Sequence, residues 1–168
     1  MFRRTLWIAS AALCVATAAV AGADVRLKRA LDDSGLKYLI DNDDDALVEF
    51  DVGDNGEITV IAFSDTSSLD GYETRSVWAL AYMGTDIPDA MIDDILKENA
   101  SFKIGAWQVL KKGPVATVVF SCAIPADMGG DDFDTVVRAI VLAVDRFRDR
   151  YGSGGLVDLE ALMDDDEE

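Results

Sequence analysis

The sequence predicts an α+β fold: a twisted antiparallel sheet of about five to six strands with three helices, in the order helix, strands, helix, hairpin, helix. Three observations predict it. Period-two apolar runs follow one another with only turn signals between them, which implies antiparallel pairing. Two longer segments repeat their apolar residues at helical spacing instead. The turns carry suitable chemistry, with Asn55-Gly56 placed for positive φ between two such runs.

Taken in order, residues 24–34 form a short helix with Leu27, Ala30 and Leu31 as its apolar stripe and Gly35 placed to end it. Residues 37–40 are extended and lead into the aspartate-rich DNDDD. Residues 46–52 alternate, with Val48, Phe50 and Val52 on one side and Glu49 and Asp51 on the other. They turn at GDNG and return as residues 58–63. SDTSSLDG, residues 64–71, is polar and turn-rich and reads as a loop. Residues 73–83, ETRSVWALAYM, form a long strand with apolar residues on both faces. Thr85-Asp86-Ile87-Pro88 opens a second helix, proline being tolerated in a first turn. Its buried stripe is Met91, Ile92, Ile95 and Leu96. Residues 102–110 and 115–124 make a second hairpin around Lys111-Lys112-Gly113-Pro114. A long helix from Asp131 to about Tyr151 then presents Phe133, Val136, Val137, Ile140, Val141, Val144 and Phe147 to the core.

Arg3 and Arg4, about sixteen uncharged residues, and Ala21-Gly22-Ala23 match the three parts of a secretory signal. The expected organisation is a cleaved signal at residues 1–23, one domain at residues 24–151, and a Gly-rich linker with an acidic tail at residues 152–168. The location that follows is periplasmic or secreted. Cys14 leaves with the signal, so Cys122 has no partner for an internal disulfide, and its apolar setting predicts a buried, inert thiol. The mature chain keeps 13 basic against 32 acidic residues, a formal net charge of −19. Such a surface repels phosphate backbones and anionic headgroups, which argues against nucleic acid and against a membrane after cleavage.

The sequence has no histidine. That removes Ser-His and Cys-His nucleophile pairs and His-ligated zinc, so no catalytic residue, metal or cofactor is assigned. Asp41, Asp43 and Asp45 have the 1-3-5 spacing of a calcium loop, but Ala46 stands where the glycine belongs and Val52 where the bidentate glutamate belongs. A solvated turn whose aspartates accept backbone hydrogen bonds is the expectation. The aromatics are the better candidates. Trp78, Leu80 and Tyr82 alternate onto one face of their strand, and Trp107 and Val109 share a face of the following hairpin. If helices cover only one side of the sheet, apolar residues remain on the other, and such a face is usually an interface. Trp78, Tyr82 and Trp107 are the candidate partner-binding residues. In the tail, Leu156, Leu159, Leu162 and Met163 fall near one helical face before DDDEE, a candidate docking segment.

From about Leu27 to Phe147 the chain resembles the YbjN family, which is proposed to act in bacterial sensory transduction. The resemblance rests on the acidic turn after KYLID, the long strand leading into Asp86-Ile87-Pro88, and the helix ending in Asn99. It also rests on SFKIGAWQV with Phe102 and Gly105, and on the strand-turn-strand before the last helix. It implies a fold like that of type III secretion chaperones, often dimeric, with no established catalytic residues. The expected function is a non-enzymatic envelope protein that binds a protein or peptide partner, or a second copy, on an apolar sheet face. The alternative is a periplasmic protein that binds a small ligand or divalent cation at the acidic turns.

Overall fold

A computed structural model describes residues 23–52 and 57–154. Most of the expected leader (residues 1–22), the turn at residues 53–56 and the tail from residue 155 lie outside the described residues. The order is α1 (Val25–Asp33), β1 (Tyr38–Ile40), β2 (Ala46–Val52), β3 (Glu57–Leu69), β4 (Tyr72–Gly84), α2 (Asp89–Asn99), β5 (Ala106–Lys112), β6 (Val115–Pro125) and α3 (Gly130–Tyr151). The six strands form one sheet ordered β1-β2-β3-β4-β6-β5, antiparallel throughout. The α+β class and the order of elements are as the sequence predicts.

The segment SDTSSLDG differs from its expectation. Residues 64–69 are strand, and β3 and β4 stay paired out to Leu69 opposite Tyr72. Only Asp70 and Gly71 turn, both with positive φ, the conformation a two-residue hairpin loop demands. The polar residues belong to a hairpin arm, where pairing is by backbone and needs no apolar alternation. The second helix begins one residue past Pro88, and Leu96 faces solvent while Met91 and Ile95 are buried.

α3 lies across one face of the sheet and makes the core. Phe133, Val136, Val137, Ile140, Val144 and Phe147 pack with Val48 of β2, Ile61 and Phe63 of β3, Val77 and Ala79 of β4, and Val118 and Phe120 of β6. Leu27 and Leu31 of α1 and Met91 and Ile95 of α2 complete the same cluster. All three helices therefore contribute to one core, which includes none of Ala62, Trp78, Leu80 or Val119.

β4 carries a bulge that sets the geometry of everything around it. Leu80 pairs with Val119, but the next pair is Tyr82 with Val118, so Ala81 is an extra residue. On the other side, β3 and β4 are paired from Leu69 opposite Tyr72 as far as Ile61 opposite Ala79. Carbonyls beyond that point need other donors. Arg148 of α3 supplies them: its Nη2 donates to the Leu80 carbonyl (2.8 Å), Nε to the Ala81 carbonyl (3.2 Å), and Nη1 to the Ile58 carbonyl (2.9 Å) and Thr59 Oγ1 (3.1 Å). One guanidinium thus joins the two strands where they separate. The chain leaving α3 then runs beside the same stretch, with the Met83 amide donating to the Ser153 carbonyl (3.2 Å) and Gly154 bridging Met83 in parallel. A Cβ at Gly154 would collide with the Met83 carbonyl, and φ there is +77°.

Arg148→Met keeps most of the side-chain packing and removes every one of these donors. Urea unfolding should show a loss of about 3 kcal/mol, since each bond from a charged donor is worth roughly 1.5–3 kcal/mol and the carbonyls lose their partners. An unchanged midpoint would mean that water satisfies these carbonyls equally well.

Candidate functional site

The face of the sheet away from the helices carries a cross-strand row that runs through all six strands: Leu39, Leu47, Ala62, Trp78, Ser121 and Ala106, each paired with the next. Trp78 is 39% exposed and Leu39 69% exposed. Ala62, between the larger Leu47 and Trp78, is buried although it belongs to no helix-packed cluster. The next row holds Leu80, Val119 and Gln108, and the Gln108 side-chain amide donates to Ser121 Oγ (2.7 Å). Toward β1 the face sinks into a trough of about 440 Å³, lined by Leu39, Leu47 and Val60 with Lys37 and Glu49. An aromatic ring standing beside an apolar trough is the chief apolar feature of this face.

Of the three aromatics picked from the sequence, only Trp78 is here. Tyr82 is opposite the core-facing Val118 and packs half-buried on the helix side. The bulge at Ala81 reverses the alternation, so Trp78 and Tyr82 do not share a face. The Tyr82 hydroxyl donates to the Asp86 carbonyl at 3.4 Å. Trp107 is 3% exposed, on the helix side, with ring centroids 4.6 Å from Phe147 and 5.0 Å from Phe120. Its indole N–H donates to Glu98 Oε2 (2.8 Å). Its backbone is clamped by Asn99, which accepts from the amide (2.7 Å) and donates to the carbonyl (3.0 Å). Asn99 thereby does for edge strand β5 what a neighbouring strand would do. Gly105 precedes this stretch at φ +73°, where a Cβ would strike the Ser121 carbonyl. Trp107 and Tyr82 are therefore packing residues. The residues that sequence reasoning passed over are Leu39, Leu47 and Val60; their signal was alternation against core-facing Tyr38, Val48 and Ile61.

The acidic turn between β1 and β2 is organised by Asp41. Its Oδ1 accepts from the amides of Asp43 (2.9 Å) and Asp45 (3.0 Å), and Asp44 takes φ +63°. The Asp41 carboxylate is thus turned onto its own backbone. Among the described residues, no group of three or more Asp, Glu or Cys side chains is placed to hold a metal ion.

A second charged cluster ties the N-terminus to the hairpin arm. Asp24 caps α1, accepting from the Arg26 amide (2.8 Å). Its carboxylate also accepts from the Arg26 guanidinium (2.7 Å), the Thr66 hydroxyl (2.5 Å) and Arg75 Nη2 (3.2 Å). Arg75, 1% exposed, donates as well to the Ala126 carbonyl (3.0 Å), and Arg26 reaches Glu73 (2.6 Å). The Asp24 carboxyl is held well below the usual carboxylate range, chiefly by hydrogen bonding from Arg26. Partial burial opposes that shift, and Thr66 and the Arg26 amide add to it. Cys122 is buried on β6, and burial pushes its thiol up to about 11.

The chain matches no protein-family model and no curated protein. Among solved structures it is similar to the crystal structure of YbjN from E. coli, a proposed transcription regulator, with a TM-score of 0.51 and 16% identity over 72% of this chain and 84% of that chain. At that identity the likeness is one of fold, and the fold is YbjN-like.

Folding depresses the pKa of Asp24, so this carboxylate contributes stability above about pH 4 that is lost as the pH falls further. Asp24→Asn leaves Arg75 buried without its carboxylate. It should cost roughly 3–5 kcal/mol at pH 7 in urea unfolding and flatten the decline below pH 4. A parallel acid limb in the variant would place the acid sensitivity elsewhere. Cys122 should react with iodoacetamide at pH 8 roughly two orders of magnitude more slowly in the folded protein than in urea. Equal rates would contradict its burial.

Proposed function

We propose that this chain is a non-enzymatic binding protein of the cell envelope, periplasmic or secreted, which takes a protein or peptide partner on the open face of its sheet. The observation that carries the reading is the row from Leu39 to Trp78, an apolar surface with the helices all on the other side. Large exposed aromatics beside apolar troughs are the anchors on which interfaces depend. The leader-like N-terminus supports the location, and the lack of histidine and of a nucleophile–base pair supports binding over turnover. A fold neighbour described as a proposed transcription regulator is in keeping with a binding role. The geometry favours this reading over cation binding at the acidic turn, where Asp41 is engaged by two backbone amides.

The partner is met by apolar contact within a strongly negative field. That field separates two kinds of partner. A basic protein would bind faster and more tightly at low salt, whereas a second copy of this chain would associate better as salt screens the repulsion.

The test is cross-linking and capture from the native envelope with the tagged protein, then affinity measurement on the captured species. Trp78→Ala should weaken binding by about tenfold or more. Its own unfolding free energy should fall by roughly 1–3 kcal/mol, since the side chain is 39% exposed and the rest of it packs on the sheet, and the variant should stay folded. A partner retained equally by Trp78→Ala and by Leu39→Ser would remove this face from the function.

A further inference from the structure

On the opposite side of the molecule, the outer surface of α3 and the segment between α2 and β5 enclose a groove of about 560 Å³. Its floor is apolar: Phe102, Leu142 and Ala143, with Leu142 50% exposed. Its cations are Lys103, Arg146 and Arg150. Arg150 is engaged by acids of α2, at 2.9 Å from Glu98 and 3.3 Å from Asp94, and Asp94 is held further by the Tyr151 hydroxyl (2.6 Å). Among the described residues, Lys103 and Arg146 make no ion pair. Both cations line the groove beside the exposed Leu142.

The chain itself holds a complementary segment. Residues 155–168 follow directly on Gly154, three residues past the end of α3, where Met83 holds the backbone. They contain Leu156, Leu159, Leu162 and Met163, then an acidic run, with Asp158 and Glu160 between the leucines and no basic residue. Their number sets an upper reach of about 45 Å, ample to return along the outside of α3. Apolar residues matched to the floor and acids matched to the cations are the complementarity an interface needs.

We propose that residues 156–168 occupy this groove in cis, with the leucines on Phe102 and Leu142 and the terminal acids on Lys103 and Arg146. Arg148 and Arg150 lie in the last turn of α3 and complement its negative C-terminal end. Arg146 precedes that turn and lines the groove together with Lys103. Docking here leaves the Trp78 face free, so the proposal stands apart from the binding function.

The experiment is amide hydrogen exchange on the intact protein, read across residues 156–163. Docking should slow exchange by roughly tenfold relative to an unstructured reference, as a few screened ion pairs and two buried leucines would give. Lys103→Glu with Arg146→Glu should abolish that protection and reduce the folding equilibrium constant by no more than about the same tenfold, because both side chains are at the surface and only the docking is lost. Adding Asp164→Lys, Asp165→Lys and Asp166→Lys to that variant should restore it, since the charges are then exchanged. Three results would overturn the proposal: exchange at the unstructured rate in the unaltered protein, protection indifferent to the charge reversal, or protection that rises with protein concentration, which would assign the groove to the tail of a second copy.

Discussion

A sheet cannot leave carbonyls buried without donors, and in this fold Arg148 meets that demand. The bulge at Ala81 and the divergence of β3 from β4 turn backbone oxygens of both strands toward the last turns of α3, and one guanidinium reaches them. A planar fork with five donors suits such a split; a lysine would offer a point charge in its place. Several features hang from this contact. The register of α3 on the sheet is set at its C-terminal end, which places Phe147 over Trp107. The chain leaving the helix is delivered to Met83. The bulge that creates the demand also carries Tyr82 to the helix side, away from Trp78 on the open face.

A second tie acts at the far end of the sheet. Asp24, Arg26, Thr66 and Arg75 join the first helix to the hairpin arm of β3 and β4. Removing either member of such a buried pair leaves the other without compensation, which makes the arrangement demanding and specific. Both ties use arginine for internal work in a chain short of cations. Arg75 and Arg148 serve backbone and carboxylate within the fold, and Arg26 and Arg150 pair with neighbouring acids. The acids outnumber them widely, so the exterior field is negative for reasons of internal structure as well as composition.

Those uses of arginine mark where the sequence was legible and where it was not. β2, the β5–β6 hairpin and α3 follow from local period and turn chemistry, and their boundaries fall within a few residues of expectation. Residues 64–69 were unreadable as strand because Thr66 meets a charged cluster and Ser67 to Leu69 are exposed, so there is no apolar alternation to detect. The bulge left no trace either: Leu80-Ala81-Tyr82-Met83 is apolar throughout, and only the register against β6 shows which residue is extra. Alternation in β5 separates Trp107 from Gln108 but says nothing of which class meets the helices. That choice is made by Phe147 and Glu98, distant or on another element. Arg75 and Arg148 would each be placed at the surface by composition alone.

The open face is shaped by the sizes of the residues around Trp78. Its cross-strand neighbours are Ala62 and Ser121, too small to cover an indole, so the ring stands above them. Leu39, Leu47 and Val60 are larger, yet they line a depression, because β1 is a three-residue edge strand and the surface falls away beside it. A covering helix would meet a projection and a hollow within one row, and a flat helix face fits neither. The partner proposed for this face would have to supply a recess for Trp78 and something to fill the trough, which is the behaviour of an interface built from anchors. Among the described residues no second helical layer covers this face, and the small residues flanking Trp78 leave it uneven, on a sheet whose main core cluster lies on its other side.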